Sequence, residues 1–381
     1  MKTERTDIVI VGAGTTGLAA AWELAKAGLD VIALDKGRLA GEGAGKSGSN
    51  IRMVGRHSSD VPLMLEAIKL WNSMSDDLGM DVGMNFCGNL WVSFSDEEQA
   101  SHLKLMERDI AYGIEEFAMD RQQIREFAPA LTHEIAGAVF SPTSGISDPF
   151  KVCFAYWKAA VREGAKFRFG TEMVDFLFKD GRVAGVLTTK GAIEAEKVIL
   201  AAGPWSTYLA RKAGLELPIS NCPYQKIITE ATLPIIPSFV LTNSGSFHQA
   251  DTGQIHMGHA VHTPNRGFSD APDADEIRRT VRRMLKVVPC LNRLNVLRSW
   301  VGFLDMTPDD NFIFGDVPEL PGLILACGFS GHGYALSPIV GRLLREFVTD
   351  KATSLSMEKF RLERFKNGQA TMDGSHFSPR G

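Results

Sequence analysis

The motif Gly12-Ala13-Gly14-Thr15-Thr16-Gly17 constrains this chain more than any other feature, because of what stands on either side of it. Before it runs Asp7-Ile8-Val9-Ile10-Val11, an apolar stretch of the kind found in strands buried on both faces. After it, Leu18, Ala21, Trp22 and Ala25 recur at helical spacing and Gly28 closes the helix. Val31-Ile32-Ala33-Leu34 then forms a second short strand that ends at Asp35. Strand, glycine-rich turn, helix and strand make a βαβ unit whose first turn can hold a dinucleotide. Gly12 permits the tight turn, Gly14 removes the side chain that would block a pyrophosphate, and Gly17 lets the helix approach the strand. Unpaired amides at the head of the helix, around Thr15 and Thr16, face the phosphates. Asp35, eighteen residues beyond Gly17, is placed to accept from a ribose hydroxyl, with Lys36 beside it. The motif alone does not separate a nicotinamide dinucleotide from a flavin one.

Composition narrows the partners. The 381 residues suffice for roughly two to three domains. Lysine and arginine number 41 against 45 aspartates and glutamates, a net charge of −4, so no global field draws the chain to nucleic acid or to an anionic membrane. Cys87, Cys153, Cys222, Cys290 and Cys327 are scattered singly, without metal-ligand spacing, and are expected to be buried free thiols in a reducing compartment. No metal is expected. The first apolar stretch is too short for a signal peptide, and no uninterrupted apolar run approaches the ~18 residues of a membrane span. A soluble, cytoplasmic protein follows as the expectation.

Further along, a helix is expected from about Val61 to Met74, a strand at Asn89 to Phe94, and a charged helix from Glu97 to about Tyr112. The turn Ser147-Asp148-Pro149 leads into an apolar helix with Phe154, Trp157 and Val161. Lys166 to Gly203 reads as successive strands turning at Asp180-Gly181, and a basic helix spans Asp275 to Val288. Leu323 to Gly328 is a buried strand, followed by a glycine-rich turn and a helix near Ala335 with Leu336, Ile339, Val340, Leu343, Leu344 and Phe347 on one side. The expected fold is α/β: a Rossmann-like nucleotide-binding domain with a second α+β substrate domain on a mixed antiparallel sheet. The first would comprise 1–80 with 150–215 and 300–370, the second 81–149 with 216–299, and 371–381 a flexible tail.

Five blocks in order along the chain resemble the FAD-dependent amine and amino-acid oxidoreductases of the D-amino-acid oxidase, glycine oxidase and sarcosine oxidase superfamily. They are the opening glycine motif, Ala44-Gly45-Lys46-Ser47-Gly48-Ser49-Asn50-Ile51-Arg52, Val198 to Ser206, Met306-Thr307-Pro308-Asp309, and Gly328-Phe329-Ser330-Gly331-His332-Gly333. The first is generic to dinucleotide folds; the last two together are specific. The pattern leans towards β subunits of heteromeric sarcosine oxidase, proline dehydrogenase or opine oxidase. The resemblance implies FAD contacts at Ser47, Met173, Ala202, Gly203, Trp205, Gly328, Gly331, His332, Gly333 and Tyr334. The late helix would point its positive end at the flavin pyrimidine.

By position, Arg52 matches the arginine that grips the substrate carboxylate, and a bidentate guanidinium suits that planar group. Arg56 and His57 are weaker candidates, and His332 matches a histidine beside the flavin ring. Where relatives tether the flavin through a cysteine this chain has Gly302, so non-covalent FAD is expected; a carboxylate-binding lysine is matched by Ala335. His256 stands where the oxygen-activating lysine is found, which implies poor direct reaction with O2. The implied chemistry is hydride transfer from the Cα of an amino acid or secondary amine to flavin N5, with electrons passed to partner subunits. The alternatives are a peroxide-producing oxidase, a 2-hydroxy-acid dehydrogenase, or a flavin-bearing relay subunit without a substrate pocket. The arginine-rich stretch Arg278 to Lys286 is either a solvated face or a contact with a partner or with FMN at a subunit interface.

Overall fold

The computed structural model describes residues 3–243, 245–260, 267–368 and 370, so the expected tail lies outside the described residues. The chain opens with β1 (Glu4–Val11), α1 (Thr15–Lys26), β2 (Val31–Leu34), β3 (Asn50–Ile51) and α2 (Asp60–Leu78). There follow β4 (Asn89–Ser93), α3 (Asp96–Ala111), β5 (Phe117–Met119), α4 (Arg121–Phe127), β6 (Gly137–Ser141), β7 (Gly145–Ile146) and α5 (Pro149–Arg162). Strands β8 (Lys166–Arg168), β9 (Met173–Lys179), β10 (Arg182–Thr188) and β11 (Gly191–Leu200) precede α6 (Ser206–Arg211). Next come β12 (Ser220–Ala231), β13 (Phe239–Thr242), β14 (Gly245–Gln249), β15 (Gln254–Ala260), α7 (Ala274–Val287) and β16 (Val296–Met306). The last elements are β17 (Ile313–Asp316), β18 (Leu323–Cys327), α8 (Gly333–Thr349) and α9 (Glu363–Lys366).

In the first sheet β18, β11, β1, β2 and β8 run parallel side by side, with β17, β10 and β9 added antiparallel. Alternation along β1 sends Ile8 and Ile10 to a core shared with α1, α2, α5 and α8, and Val9 and Val11 to the opposite core. That two-sided burial is why the strand reads as an unbroken apolar run. The second sheet has the order β16-β12-β15-β14-β13-β4-β6-β5 and is antiparallel except where β13 meets β4. It is the mixed sheet expected, packed against α4 and α7. The expected boundary at 300 falls inside β16, which belongs wholly to this second sheet.

Local chemistry sets several helix starts. Asp148 accepts from the amides of Phe150 and Lys151 with Pro149 in the first turn of α5, and Asp120 and Gln123 cap α4 reciprocally. On α5, Val152, Cys153, Tyr156, Ala159 and Ala160 are buried, whereas Phe154 and Val161 are 40% and 45% exposed. That face packs on α1, where the Trp22 and Tyr156 rings lie 5.9 Å apart and small residues fill the rest of the contact. The cysteines are all free, but only Cys153 and Cys327 are buried and Cys290 is exposed. Among the described residues no helix is long and apolar enough to cross a membrane.

Helix α8 lies against α1, and Gly341 is the contact. A Cβ there would meet the carbonyl carbon and Cβ of Ala19, each at 2.8 Å. Gly341→Leu should therefore force the two helices apart and cost about 2–3 kcal/mol, read as a lowered denaturant midpoint with an unchanged slope.

Candidate active site

A cavity of about 400 Å³ lies between the two sheets, walled by the turn after β1 at one end and the N-terminus of α8 at another. Gly12, Gly14, Thr15, Thr16, Asp35 and Lys36 line the first end. Gly12 has φ +105°, and a Cβ there would strike the carbonyl oxygen of Ala201. A Cβ on Gly14 meets nothing within 4 Å, so the absent side chain leaves an open cradle. No side chain caps α1, and its first amides stay available to an anion. Asp35 Oδ2 accepts from Ala13 N at 2.9 Å and Oδ1 from Gly37 N at 2.8 Å.

Ser47, Met173, Ala202, Gly203 and Trp205 line the middle of the cavity, together with Gly302. Lys36 Nζ sits 3.6 Å from the centroid of Trp205, which stacks on Phe268 at 4.7 Å. Gly331, His332, Gly333 and Tyr334 line the far end. Tyr334 is anchored by a 2.7 Å hydrogen bond to Ser147. Pro338 lacks the amide that would bond the Tyr334 carbonyl; the Ser337 hydroxyl donates to that oxygen instead, at 2.9 Å. No side chain caps this helix either, so its first amides can meet a developing negative charge.

Three expected contacts do not line the cavity. Gly17 packs α1 on β1, where a Cβ would strike the carbonyl oxygen of Gly12. Gly328 shapes its turn at φ +74°, and its amide donates to Asp305 Oδ2 at 2.6 Å. His256 stacks on His248, centroids 5.0 Å apart, with the Trp300 ring edge-on at 6.1 Å. Burial lowers His256 to about 4, with the Lys226 charge acting the same way. It is Lys226, on the neighbouring strand, that reaches the wall.

Arg52 lines the cavity while almost fully buried. Its Nη1 donates to the carbonyls of Val54 at 2.5 Å and Gly55 at 3.1 Å, and its Nη2 lies 2.9 Å from His332 Nε2. His332 Nδ1 in turn lies 3.1 Å from Asp60 Oδ2. A guanidinium only donates and a carboxylate only accepts, so the imidazole between them is neutral, with its proton on Nδ1. Burial lowers His332 to about 4, consistent with that tautomer. Burial and then Arg56 lower Arg52 to about 9, which leaves it charged at neutral pH. Burial raises Asp60, but the His332 hydrogen bond and the Arg56 charge outweigh it, and the carboxyl ends below its ordinary value. Arg56 sits 3.6 Å from Asp60 and also lines the cavity; His57 does not, its Nε2 lying 3.4 Å from Asn311 Nδ2.

Sequence reasoning missed Asp60, Asp305 and Lys226. Burial raises Asp305 to about 6, although the Phe329 and Gly328 amides pull it the other way. Lys226 carried a signal: it shares strand parity with Tyr224 and Ile228, where an inward apolar residue is the usual choice.

Two uncapped helix termini at one elongated cavity, an open glycine cradle and a ribose-directed carboxylate fit FAD, and define a flavoprotein oxidoreductase fold and site. The family model "FAD dependent oxidoreductase" (DAO) matches residues 7–347, and the chain belongs to that family of FAD-dependent enzymes oxidising amino acids or amines. The beta subunit of sarcosine oxidase from an Arthrobacter species is 30% identical over 373 residues, covering 95% of this chain and 91% of that one. An opine oxidase subunit of Agrobacterium tumefaciens is 28% identical over 342 residues, covering 85% and 89%. The crystal structure of L-proline dehydrogenase from P. horikoshii is similar at a TM-score of 0.91 and 29% identity, covering 96% of this chain and 99% of that one.

The folded pKa of His332 lies below that of an exposed imidazole, so between about pH 6.5 and 4 the unfolded chain binds more protons and stability is lost as the pH drops. His332→Gln should remove that contribution, on the order of 3 kcal/mol across the window. The check is the pH dependence of the urea midpoint, which should be shallower for the variant.

Proposed function

We propose that this chain oxidises the C–N bond of an amino acid or secondary amine of the sarcosine, proline or opine type, as the catalytic subunit of a heteromeric dehydrogenase. The observation that carries the reading is a charged guanidinium, Arg52, fixed in the wall of the cavity that ends at the N-terminus of α8. The naming of the sarcosine and opine oxidase relatives as subunits supports a partner that takes the electrons. The exposed basic face of α7, with Arg282 and Lys286, is the surface we assign to that partner.

Arg52 binds the substrate carboxylate, and two backbone carbonyls with a neutral imidazole hold the guanidinium in one orientation before substrate arrives. His332 can keep that orientation only while unprotonated, because a second proton on the ring would face the guanidinium. Tyr224, Phe239 and Leu241 wall the cavity and exclude water from the reacting carbon. FAD, when bound, supplies the acceptor for the hydrogen that leaves Cα as hydride. The amides of the α8 first turn favour negative charge at its N-terminus, and a substrate bound with its amine neutral needs no acid or base of the chain to release hydride, the product imine then hydrolysing in water. Gly302 offers no nucleophile for a covalent tether.

Acid precipitation of the yellow holoprotein should leave all flavin in the supernatant; colour retained in the pellet refutes the non-covalent assignment. Under argon the flavin absorbance should bleach with an N-alkyl amino acid, and reoxidation by O2 should be much slower than by an artificial dye. Arg52→Met should lower kcat/KM by an amount worth about 2–4 kcal/mol, the cost of losing a buried charge partner. Bleaching by 2-hydroxy acids alone would overturn the substrate class.

A further inference from the structure

Lys226 is the one cation of the cavity wall on β12, and carboxylate binding at Arg52 gives it no task. It is 5% exposed, and it pairs in register with Trp300 of β16 and Gly258 of β15. Its neighbours are cut back to make room. A Cβ on Gly48 would collide with Lys226 Nζ, and one on Gly258 would lie 2.9 Å from Lys226 Cγ. Among the described residues its ammonium has no hydrogen-bond or ion-pair partner, and the centroid of the Tyr224 ring lies 5.4 Å from Nζ. The undescribed stretch 261–266 contains no acidic residue to supply one. His248 and His256 stand beside it, and both are lowered by burial, with the Lys226 charge acting the same way and Asp148 opposing it at His256.

A buried ammonium without a counter-charge is costly and is retained where something brings the anion to it. The FAD phosphates fit the α1 end of the cavity. Lys226 and Arg52 line the same cavity together with Tyr224, whose ring lies 5.4 Å from Lys226 Nζ. The cavity thus presents two cations beside one aromatic residue.

We propose that Lys226 binds a second carboxylate of the substrate, so that this site selects amino acids or secondary amines carrying two acidic groups, one held by Arg52 and one by Lys226. The proposal rests on the amino-acid oxidation reading above and names its substrate class. An N-(carboxyalkyl) amino acid presents two such anions, one on either side of the reacting nitrogen. Lys226 acts as a specificity residue, and the reacting bond is left to the rest of the site.

The test is binding to the FAD-loaded protein, read by perturbation of the flavin spectrum and by calorimetry. The probes are thioethers, which carry no oxidisable amine: thiodiglycolate and 3-(carboxymethylthio)propionate with two carboxylates, and methylthioacetate with one. At least one dicarboxylate should bind the parent protein ten-fold or more tighter than methylthioacetate. Lys226→Met, with Lys226→Gln as the polar control, should reduce that preference to within about three-fold. The variants should also unfold at a temperature equal to or higher than the parent without ligand, because they remove a buried unpaired charge. A parent protein that binds the dicarboxylates no tighter than methylthioacetate overturns the proposal, even if neither variant folds. So does a preference that survives in Lys226→Met. Neither result depends on turnover, so failure to oxidise any amino acid would strike the functional reading separately.

Discussion

A single neutral imidazole joins the parts of the chain that make the site. His332 accepts from Arg52 and donates to Asp60, so two neighbouring residues near the start of the chain meet one buried ring more than 270 positions later. Arg52 follows the short strand β3, Asp60 opens α2, and His332 is the residue before α8. The tautomer is dictated by its neighbours: a donor on one side and an acceptor on the other leave the ring one arrangement. Through that ring the head of α8 is held in register with the guanidinium, and the Gly341 contact with Ala19 carries the same register back to α1. The two uncapped helix termini are thereby fixed relative to each other, which an extended cofactor spanning both requires.

Much of the nucleotide-binding layer was legible in the sequence because local patterns there coincide with tertiary need. β1 is apolar on every residue of its inner half since both faces are covered, and Gly12 and Gly17 are glycines because backbone oxygens occupy the space a Cβ would take. The turn at Asp180 and Gly181 was readable for the same local reason. Helix α4 was not anticipated; it is short and held by a reciprocal cap at Asp120 and Gln123, with Ile124 as its buried residue, too little for periodicity to show. The buried face of α5 went unread because small side chains fill much of it against α1, and the large aromatic residues that draw the eye face outward.

In the site, residues carried by motifs were found and residues carried by partners were not. Arg52 and His332 sit in recognisable blocks, whereas Asp60 is an unremarked acid in a helix start whose meaning comes from a residue 272 positions away. His256 illustrates a different limit. Its position on β15 was readable, but a strand position does not say which side chain of neighbouring strands will reach the cavity. His256 turns into a stack with His248 and Trp300, and Lys226, one strand over, has the length to reach the wall. The cavity position expected of one residue is taken by a side chain of the neighbouring strand.

Asp35 holds a last consequence. Each of its carboxylate oxygens already accepts a backbone amide, from Ala13 and from Gly37, so the group is locked in place at the α1 end of the cavity. Such a fixed acceptor welcomes bare vicinal hydroxyls and repels a sugar esterified there by phosphate. A dinucleotide bearing an extra phosphate ester on that ribose would meet like charge at Asp35, at the end of the cavity remote from Arg52.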